Sequence, residues 1–423
     1  MANEEKLYWI IGFSLLILLV GGLSLQGTDG LISGLFTIMY SPARLVTDYI
    51  EVGGPGAAML NGVLVGFMGL LLIKFSTVRL SGPTVAAVFT LTGFGFFGKT
   101  PINILPIILG VYLTCRLLKQ PFTTYSVIAL FGTALGPALS YLYLEAGLVG
   151  IYKVVVPVVS GLVIGIILPP IAIYMLKFHQ GYSLYNLGMT CGFIGIFIAA
   201  FLRTAGFKIT GLLLWNKSHS KEFGVILLLF SLYFLLLGAF LSGKKAWTGF
   251  RDVQKQKGRL PSDFIAAVSM EAVLLNIGAL GLLCCLYIYG VGGDFNGPTL
   301  GGALTVMGFG AFGKTIRNCL PVIFGVYVAS TVFGLSPAAP GAILAALFCT
   351  TLAPLAGEFG IAIGVCAGFI HLAMVHQTSA WHGGMDLYNN GFAGGLTATL
   401  IVALLQWFQE HRDAILSSNG NNK

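Results

Sequence analysis

The sequence predicts an all-α integral membrane protein of two inverted-topology repeats, with about ten transmembrane helices and two re-entrant broken-helix hairpins, or fourteen short spans if the hairpins cross. Three observations carry this: composition, a long internal duplication, and an odd number of apolar segments in each copy. Of the 423 residues 56% are apolar, 12% aromatic and 9% charged, whereas a soluble domain carries about 45 to 50% apolar and about 25% charged residues. With 23 Lys and Arg and 15 Asp and Glu, there is too little polar surface to cover a core in water. Soluble enzymes and nucleic-acid binders are thereby set aside.

The formal charge of +8 fits basic loops facing the cytoplasm better than an anionic partner. The seven cysteines are odd in number, lie almost entirely inside apolar runs and match no metal or redox spacing, so they read as packing residues. The first apolar segment, Tyr8 to Leu25, is too long for an ordinary signal-peptide core, follows Glu4 and Glu5 and shows no small-residue cleavage site. It is expected to be the first transmembrane helix.

The duplication is direct. GPTVAAVFTLTGFGFFGKTPINILPIILGVYL from Gly82 returns 215 residues later as GPTLGGALTVMGFGAFGKTIRNCLPVIFGVYV from Gly297, with roughly 18 of 32 positions identical. Asn61 pairs with Asn276, Thr133 and Pro137 with Thr350 and Pro354, and Leu184-Tyr185-Asn186 with Leu387-Tyr388-Asn389. Two membrane repeats follow, 1–220 and 221–423. Matching His179-Gln180 to His376-Gln377 leaves six residues, Thr378 to Gly383, as an expected insertion in the second copy.

In the first copy the apolar segments fall near 8–25, 53–75, 82–98, 101–117, 122–145, 148–176 and 183–204. An odd count starts the second copy on the opposite side of the bilayer, so equivalent loops should differ in basic character. Arg116 and Lys119 follow the fourth segment, but its counterpart near 330–337 has no basic residue; Lys244, Lys245, Arg251, Lys255, Lys257 and Arg259 crowd a loop whose counterpart near 29–49 has only Arg44. The chain is accordingly expected to be multi-pass in a cell inner membrane with both termini cytoplasmic. The loop near 205–221, with Lys208, Lys217 and Lys221, runs against the pattern. The crowded basic loop, which also holds Trp247 and Phe250, reads as a topology determinant or as an amphipathic surface helix.

Function is expected at the third segment. Pro83 suits a helix first turn, and a helix from 84 to 97 would span only about 21 Å against a hydrocarbon core of roughly 30 Å. Gly93, Gly95 and Gly98 then interrupt it, Pro101 opens the next segment, and the pair reads as a hairpin whose tip lines a cavity. Each tip offers an ammonium, a hydroxyl and a carboxamide: Lys99, Thr100 and Asn103 in one copy, Lys314, Thr315 and Asn318 in the other. The two tips are expected to meet near the midplane, with the lysines attracting an anion and the backbone amides of Gly93, Gly95, Gly308 and Gly310 adding donors. The competing reading has each lysine snorkel to an interface. Gly93 to Thr100 and Gly308 to Thr315 also satisfy GxxxxGK[ST], but a phosphate-binding loop needs a preceding buried strand, and here the pattern sits between membrane segments.

Asn61 and Asn276, amides inside apolar helices, either bridge helices or bind solute. Tyr185-Asn186 and Tyr388-Asn389 either anchor the interface or join the site. His179, His371, His376 and His382 form no metal-ligand spacing. Glu271, Glu358 and Asp386 lie at segment edges, which argues against a buried carboxylate relay. No nucleophile, base and oxyanion donor can be assembled, so neither catalytic residues, a metal nor another cofactor is expected.

The doubled GPT...GFGxFGKT...LP...GVY pattern resembles a bacterial multipass membrane family of unknown function over nearly the whole chain. More distantly, LNGVLVG followed by a broken segment and a helix bearing Leu105-Pro106 (Leu320-Pro321 in the second copy) is similar to urea transporters, in which two inverted halves enclose a continuous pore. That resemblance implies a pore lined by hydroxyls, carbonyls and phenylalanines, without the glycine-lysine-threonine element present here. The expected function is transport, by carrier or channel, of a small polar and preferably anionic solute. A urea-type neutral-solute channel is one alternative, and a membrane-embedded enzyme or lipid-binding scaffold another. The expected partners are the lipid bilayer, the solute and, optionally, further copies of the chain; nucleic acid is excluded.

Overall fold

The computed structural model describes residues 2–420. The first half contains α1 (Ala2–Gln26), α2 (Leu31–Met39), α3 (Tyr49–Gly53), α4 (Pro55–Phe75), α5 (Gly82–Phe94), α6 (Pro101–Leu117), α7 (Ser126–Gly132), α8 (Gly136–Leu144), α9 (Tyr152–His179) and α10 (Asn186–Thr204). The second repeats the order with α11 (Ser220–Ser242), α12 (Ala246–Gln254), α13 (Phe264–Ala267), α14 (Met270–Gly290), α15 (Gly297–Phe309), α16 (Ile316–Val332), α17 (Pro340–Phe348), α18 (Ala353–Phe359), α19 (Ile361–His382) and α20 (Asn389–Gly420). Among the described residues there is no strand beyond an isolated bridge between Thr47 and Leu214, and ten helical stretches are long and apolar enough to cross a membrane. Large apolar side chains such as Trp9, Phe201, Phe240 and Tyr289 point outward. A wholly helical chain with this outer surface is an integral membrane protein, since only closed backbone hydrogen bonding survives in lipid.

The core is the antiparallel pair α5 and α15, each 13 residues long and buried almost throughout. Glycines let their backbones touch. A Cβ on Gly93 would stand 2.7 Å from the Gly301 carbonyl oxygen, and one on Gly308 would stand 3.1 Å from the Ala86 Cα. Small residues at a helix crossing are the membrane solution to close packing. The start of α5 lies beside the end of α15, with Gly82 against Ala311 and Phe312, and the start of α15 lies beside Phe96.

α6 runs parallel to α9: Gly161 packs on Pro106, Gly165 on Ile107 and Gly110, and Thr114 donates to the Ile166 carbonyl. α9 ends near the face where α5 begins, since Gly181 packs on Leu260 while Asp263 accepts from the Gly82 amide. Chain leaving through α5 therefore returns through α6. The expected segment 101–117 coincides with α6, and the expected segment 122–145 is broken at 133–135 by a short 3-10 turn. The basic loop does contain a helix, α12, with Val253 buried and Trp247 exposed.

Two expectations fail. The hairpin tips do not meet: α5 and α15 lie side by side rather than end to end, so Lys99 and Lys314 sit at opposite ends of an overlap of about 20 Å at 1.5 Å per residue. Nor is Thr378 to Gly383 an insertion. His179 and His382 each close a helix and each contact an asparagine seven residues on, Asn186 and Asn389, so His382 is the counterpart of His179. Repeated His-Gln spelling in the sequence had drawn the wrong pair together.

Candidate functional site

At the first tip, the Asn61 amide donates to the carbonyls of Gly95 (2.6 Å) and Lys99 (2.8 Å); at the second, Asn276 donates to Gly310 (2.8 Å) and Lys314 (2.8 Å). Thr100 and Asn103 form a reciprocal cap at the start of α6, and Asn103 also donates to the Gly98 carbonyl (2.9 Å). Thr315, Asn318 and Gly313 repeat the arrangement. These groups, expected to grip a solute, are committed to satisfying the irregular backbone that the glycine break creates. The expected solute-facing glycines have packing duties as well: Gly93 and Gly308 meet the neighbouring hairpin helix, Gly95 meets Gly62, and Gly310 meets Leu280.

The lysines are different. Lys99 is fully buried, and its Nζ donates to Thr133 Oγ1 (2.8 Å) and to the Tyr388 hydroxyl (2.6 Å), 4.6 Å from the Tyr388 ring centre. Lys314, also fully buried, donates to the Tyr185 hydroxyl and lies 4.4 Å from that ring centre and 4.9 Å from Phe309. Hydroxyl acceptors and aromatic faces are what a desolvated ammonium needs, and neither lysine snorkels. Each tyrosine comes from the half opposite its lysine, on the unwound chain before α10 or α20. Tyr185 and Tyr388 are therefore buried in the interior rather than placed as interfacial anchors. Asn186 and Asn389 instead tie that unwound chain to the preceding helix, through His179 and the Ala172 carbonyl in one half and through His382 and the Val375 carbonyl in the other.

Six rings, three per half, surround the space between the two lysine-tyrosine pairs. Tyr388 meets Phe94 edge-on at 4.7 Å and Tyr185 meets Phe309 at 4.6 Å. Phe348 lies 5.5 Å from Phe94, and Phe131 lies 5.6 Å from Phe309. They wall a cavity of about 380 Å³ to which Thr90 and Thr305 add hydroxyls. Thr305 donates to the Gly301 carbonyl (2.8 Å), whereas the buried Thr90 hydroxyl has no protein partner.

The cavity is lopsided. Pro83, Val127, Phe312 and the Leu260–Ser262 segment line it toward one face, but their counterparts Pro298, Leu344, Phe97 and Leu45–Thr47 do not. On the closed face the chain after α10 is sewn over that segment: Val46 donates to the Leu212 carbonyl (2.6 Å), Asp48 accepts from the Asn216 amide (3.1 Å), and Arg44 donates to the Thr210 carbonyl while pairing with Glu145 after α8 (2.8 Å).

Two aspartates, Asp48 and Asp263, escaped the sequence reading, and a third, Asp386, expected at a segment edge, is buried in the interior. Asp48 caps α3 through the Ile50 amide (3.0 Å) and abuts Gly297 at the start of α15; Asp263 caps α13 and accepts from Gly82 (3.3 Å) at the start of α5. They recur at the duplication offset, the signal by which they were findable. Burial raises the Asp48 carboxyl to about 7, opposed by the amides of Ile50, Asn216 and Gly297. Asp386 is fully buried, accepts from the Tyr388 amide (2.9 Å) and leaves its second oxygen unpaired. Its counterpart in the first half is Ser183, a substitution the misplaced insertion concealed. Among the described residues no cluster of three or more His, Cys, Asp or Glu is placed to hold a metal.

The sequence matches the family described as "Protein of unknown function (DUF1576)" over residues 28–204 and 242–407, most of the chain and nearly the division between its halves. The chain belongs to this family. No curated protein and no solved structure matches it. The family assignment agrees with a multipass helical membrane protein and brings no activity with it.

Proposed function

We propose that this member of the family is a membrane transport protein, not an enzyme, and that its solute occupies the aromatic cavity between the two hairpins. One observation carries the reading: equivalent residues from both halves line a single central space that is open toward one face and sealed toward the other. Inverted repeats around a central site are the architecture of alternating access, and the antiparallel packing of α5 on α15 supports reading the duplication as inverted. A continuous urea-type pore fits poorly with the sealed face. The basic loop Lys244 to Arg259 lies on the open side, so the positive-inside tendency puts the mouth and both termini at the cytoplasmic surface of the inner membrane. The buried amines favour an anionic solute over a cation.

The test is uptake by liposomes containing the purified protein, using labelled small carboxylates, inorganic anions and urea. Saturable uptake of a carboxylate, reduced at least tenfold when Thr90→Trp fills the cavity, is the expected result. Uptake no greater than that of empty liposomes across the whole panel overturns the reading.

A further inference from the structure

The cavity walls and the difference between its two ends define a solute more narrowly than charge alone. Phe94, Phe131, Phe309, Phe348, Tyr185 and Tyr388 surround the space with ring faces and edges. A small hydrated ion loses its water there and gains little in exchange. A ring-sized apolar body gains burial and edge-to-face contact on every side.

The two ends share a plan, a buried lysine bonded to a tyrosine hydroxyl, but they are not electrically equal. Behind Lys99 and Tyr388 sits the Asp386 carboxyl, which accepts from the Tyr388 amide and is near enough to Lys99 to act on its charge. Behind Lys314 and Tyr185 the same position is Ser183, whose hydroxyl bonds Thr351 at 3.1 Å. The ion pairs among the described residues are Arg44–Glu145, Lys255–Asp252 and Lys257–Glu358, and the ionisable neighbours acting on Lys314 are the thiols of Cys319, Cys284 and Cys349. The Lys314 end thus has an amine with no carboxylate to balance it. Because the Tyr185 oxygen already accepts from Lys314, its own proton is left for an acceptor in the cavity that Tyr185 lines, and a hydroxyl polarised by an amine is a strong donor.

We infer that the cavity takes a monoanion with a ring-sized apolar body, an aryl or arylalkyl carboxylate, its body among the six rings and its carboxylate at the Tyr185–Lys314 end. This assignment rests on the transport reading for its purpose but not for its test.

Calorimetric titration of the purified full-length protein with phenylacetate, acetate and the neutral isostere phenylacetamide separates the contributions. Phenylacetate is expected to bind at least tenfold more tightly than either comparison compound. Ser183→Asp, which gives the second end the carboxylate of the first, should weaken phenylacetate at least tenfold and leave phenylacetamide within twofold. Tyr185→Phe should weaken phenylacetate by a similar factor, with a smaller loss from Tyr388→Phe; because it removes the hydroxyl to which Lys314 donates, its melting temperature is measured alongside, and Ser183→Asp tests the same end with that bond in place.

Acetate binding as tightly as phenylacetate overturns the cage. Phenylacetamide matching phenylacetate overturns the anion preference, and equal losses from the two tyrosine variants overturn the assignment of ends. No phenylacetate binding at millimolar concentration overturns the whole inference. Phenylacetate binding without uptake would remove transport and keep the ligand, whereas uptake of acetate or urea without phenylacetate binding would do the reverse.

Discussion

Lys99 and Tyr388, 289 positions apart, are joined by a 2.6 Å hydrogen bond in the interior, and Lys314 and Tyr185 repeat the bond from the other direction. Each half therefore supplies the tyrosine to which the other half's hairpin lysine donates. The lysine tips are held by the opposite repeat rather than by each other.

Replacing Lys99 by Met together with Asp386 by Leu should separate stability from function. Thr133 keeps its bond to the Leu130 carbonyl (2.6 Å), and exchanging a buried amine and the acid that acts on it for apolar chains is often neutral or stabilising, by ~1–4 kcal/mol. The melting temperature in detergent is expected to stay level or rise while solute uptake falls at least tenfold. A drop in melting temperature with full uptake would assign the pair a structural role.

Asn61→Ala should do the opposite. It orphans the carbonyls of Gly95 and Lys99, and each buried group left unpaired costs about 1–3 kcal/mol. A marked fall in melting temperature is expected, and Asn276→Ala should match it at the second tip.

Gly93→Ala forces a methyl to 2.7 Å from a main-chain oxygen that no rotamer change can move. Overpacking of this kind costs about 1–3 kcal/mol. Gly290→Ala, where a Cβ meets nothing within 4 Å, is the control and should leave the melting temperature in place.

The Asp48 carboxyl binds its proton more tightly in the folded chain, at about 7, than at its ordinary 3.8. Its contribution to stability is full below 3.8 and is lost as pH rises to about 7. Thermal melts of wild type and Asp48→Asn between pH 4 and pH 8 should show the wild-type slope flattened in the variant. Parallel profiles would exclude Asp48 as the source.

In a Cys366→Ala background, Ser262→Cys should react with a membrane-impermeant maleimide from the mouth side, whereas Thr47→Cys, fully buried at the sealed face, should not. Equal labelling of both would contradict a one-sided cavity.

Much of the fold was legible because the duplication is written in residues with strong local meaning. Pro83 and Pro298 open helices, the glycine runs end them, and Thr100 with Asn103 starts the next. How the hairpins sit beside each other was not legible from those residues, because a broken helix stops in the same way whether its partner meets it end-on or passes alongside. Gly93, Gly301 and Gly308 held the answer, as small residues at a lateral crossing, but they read equally well as the break itself. Asn61 and Asn276 were legible as bridges, one of two readings the sequence left open. The tyrosines were not placed, since nothing local in Leu184-Tyr185-Asn186 reveals that its ring will meet Phe309, and Asp386 read as a segment-edge residue while His376 stood in for His382.

The stretch after α10 both joins the two duplicates and covers Leu45 to Thr47, whereas α20 continues as helix and lays no such cover over Leu260 to Ser262. Two separate copies paired in the same way would present equivalent ends. Joining them into one polypeptide lays the joint itself across one end, so the asymmetry of the molecule follows from the way its halves are spliced.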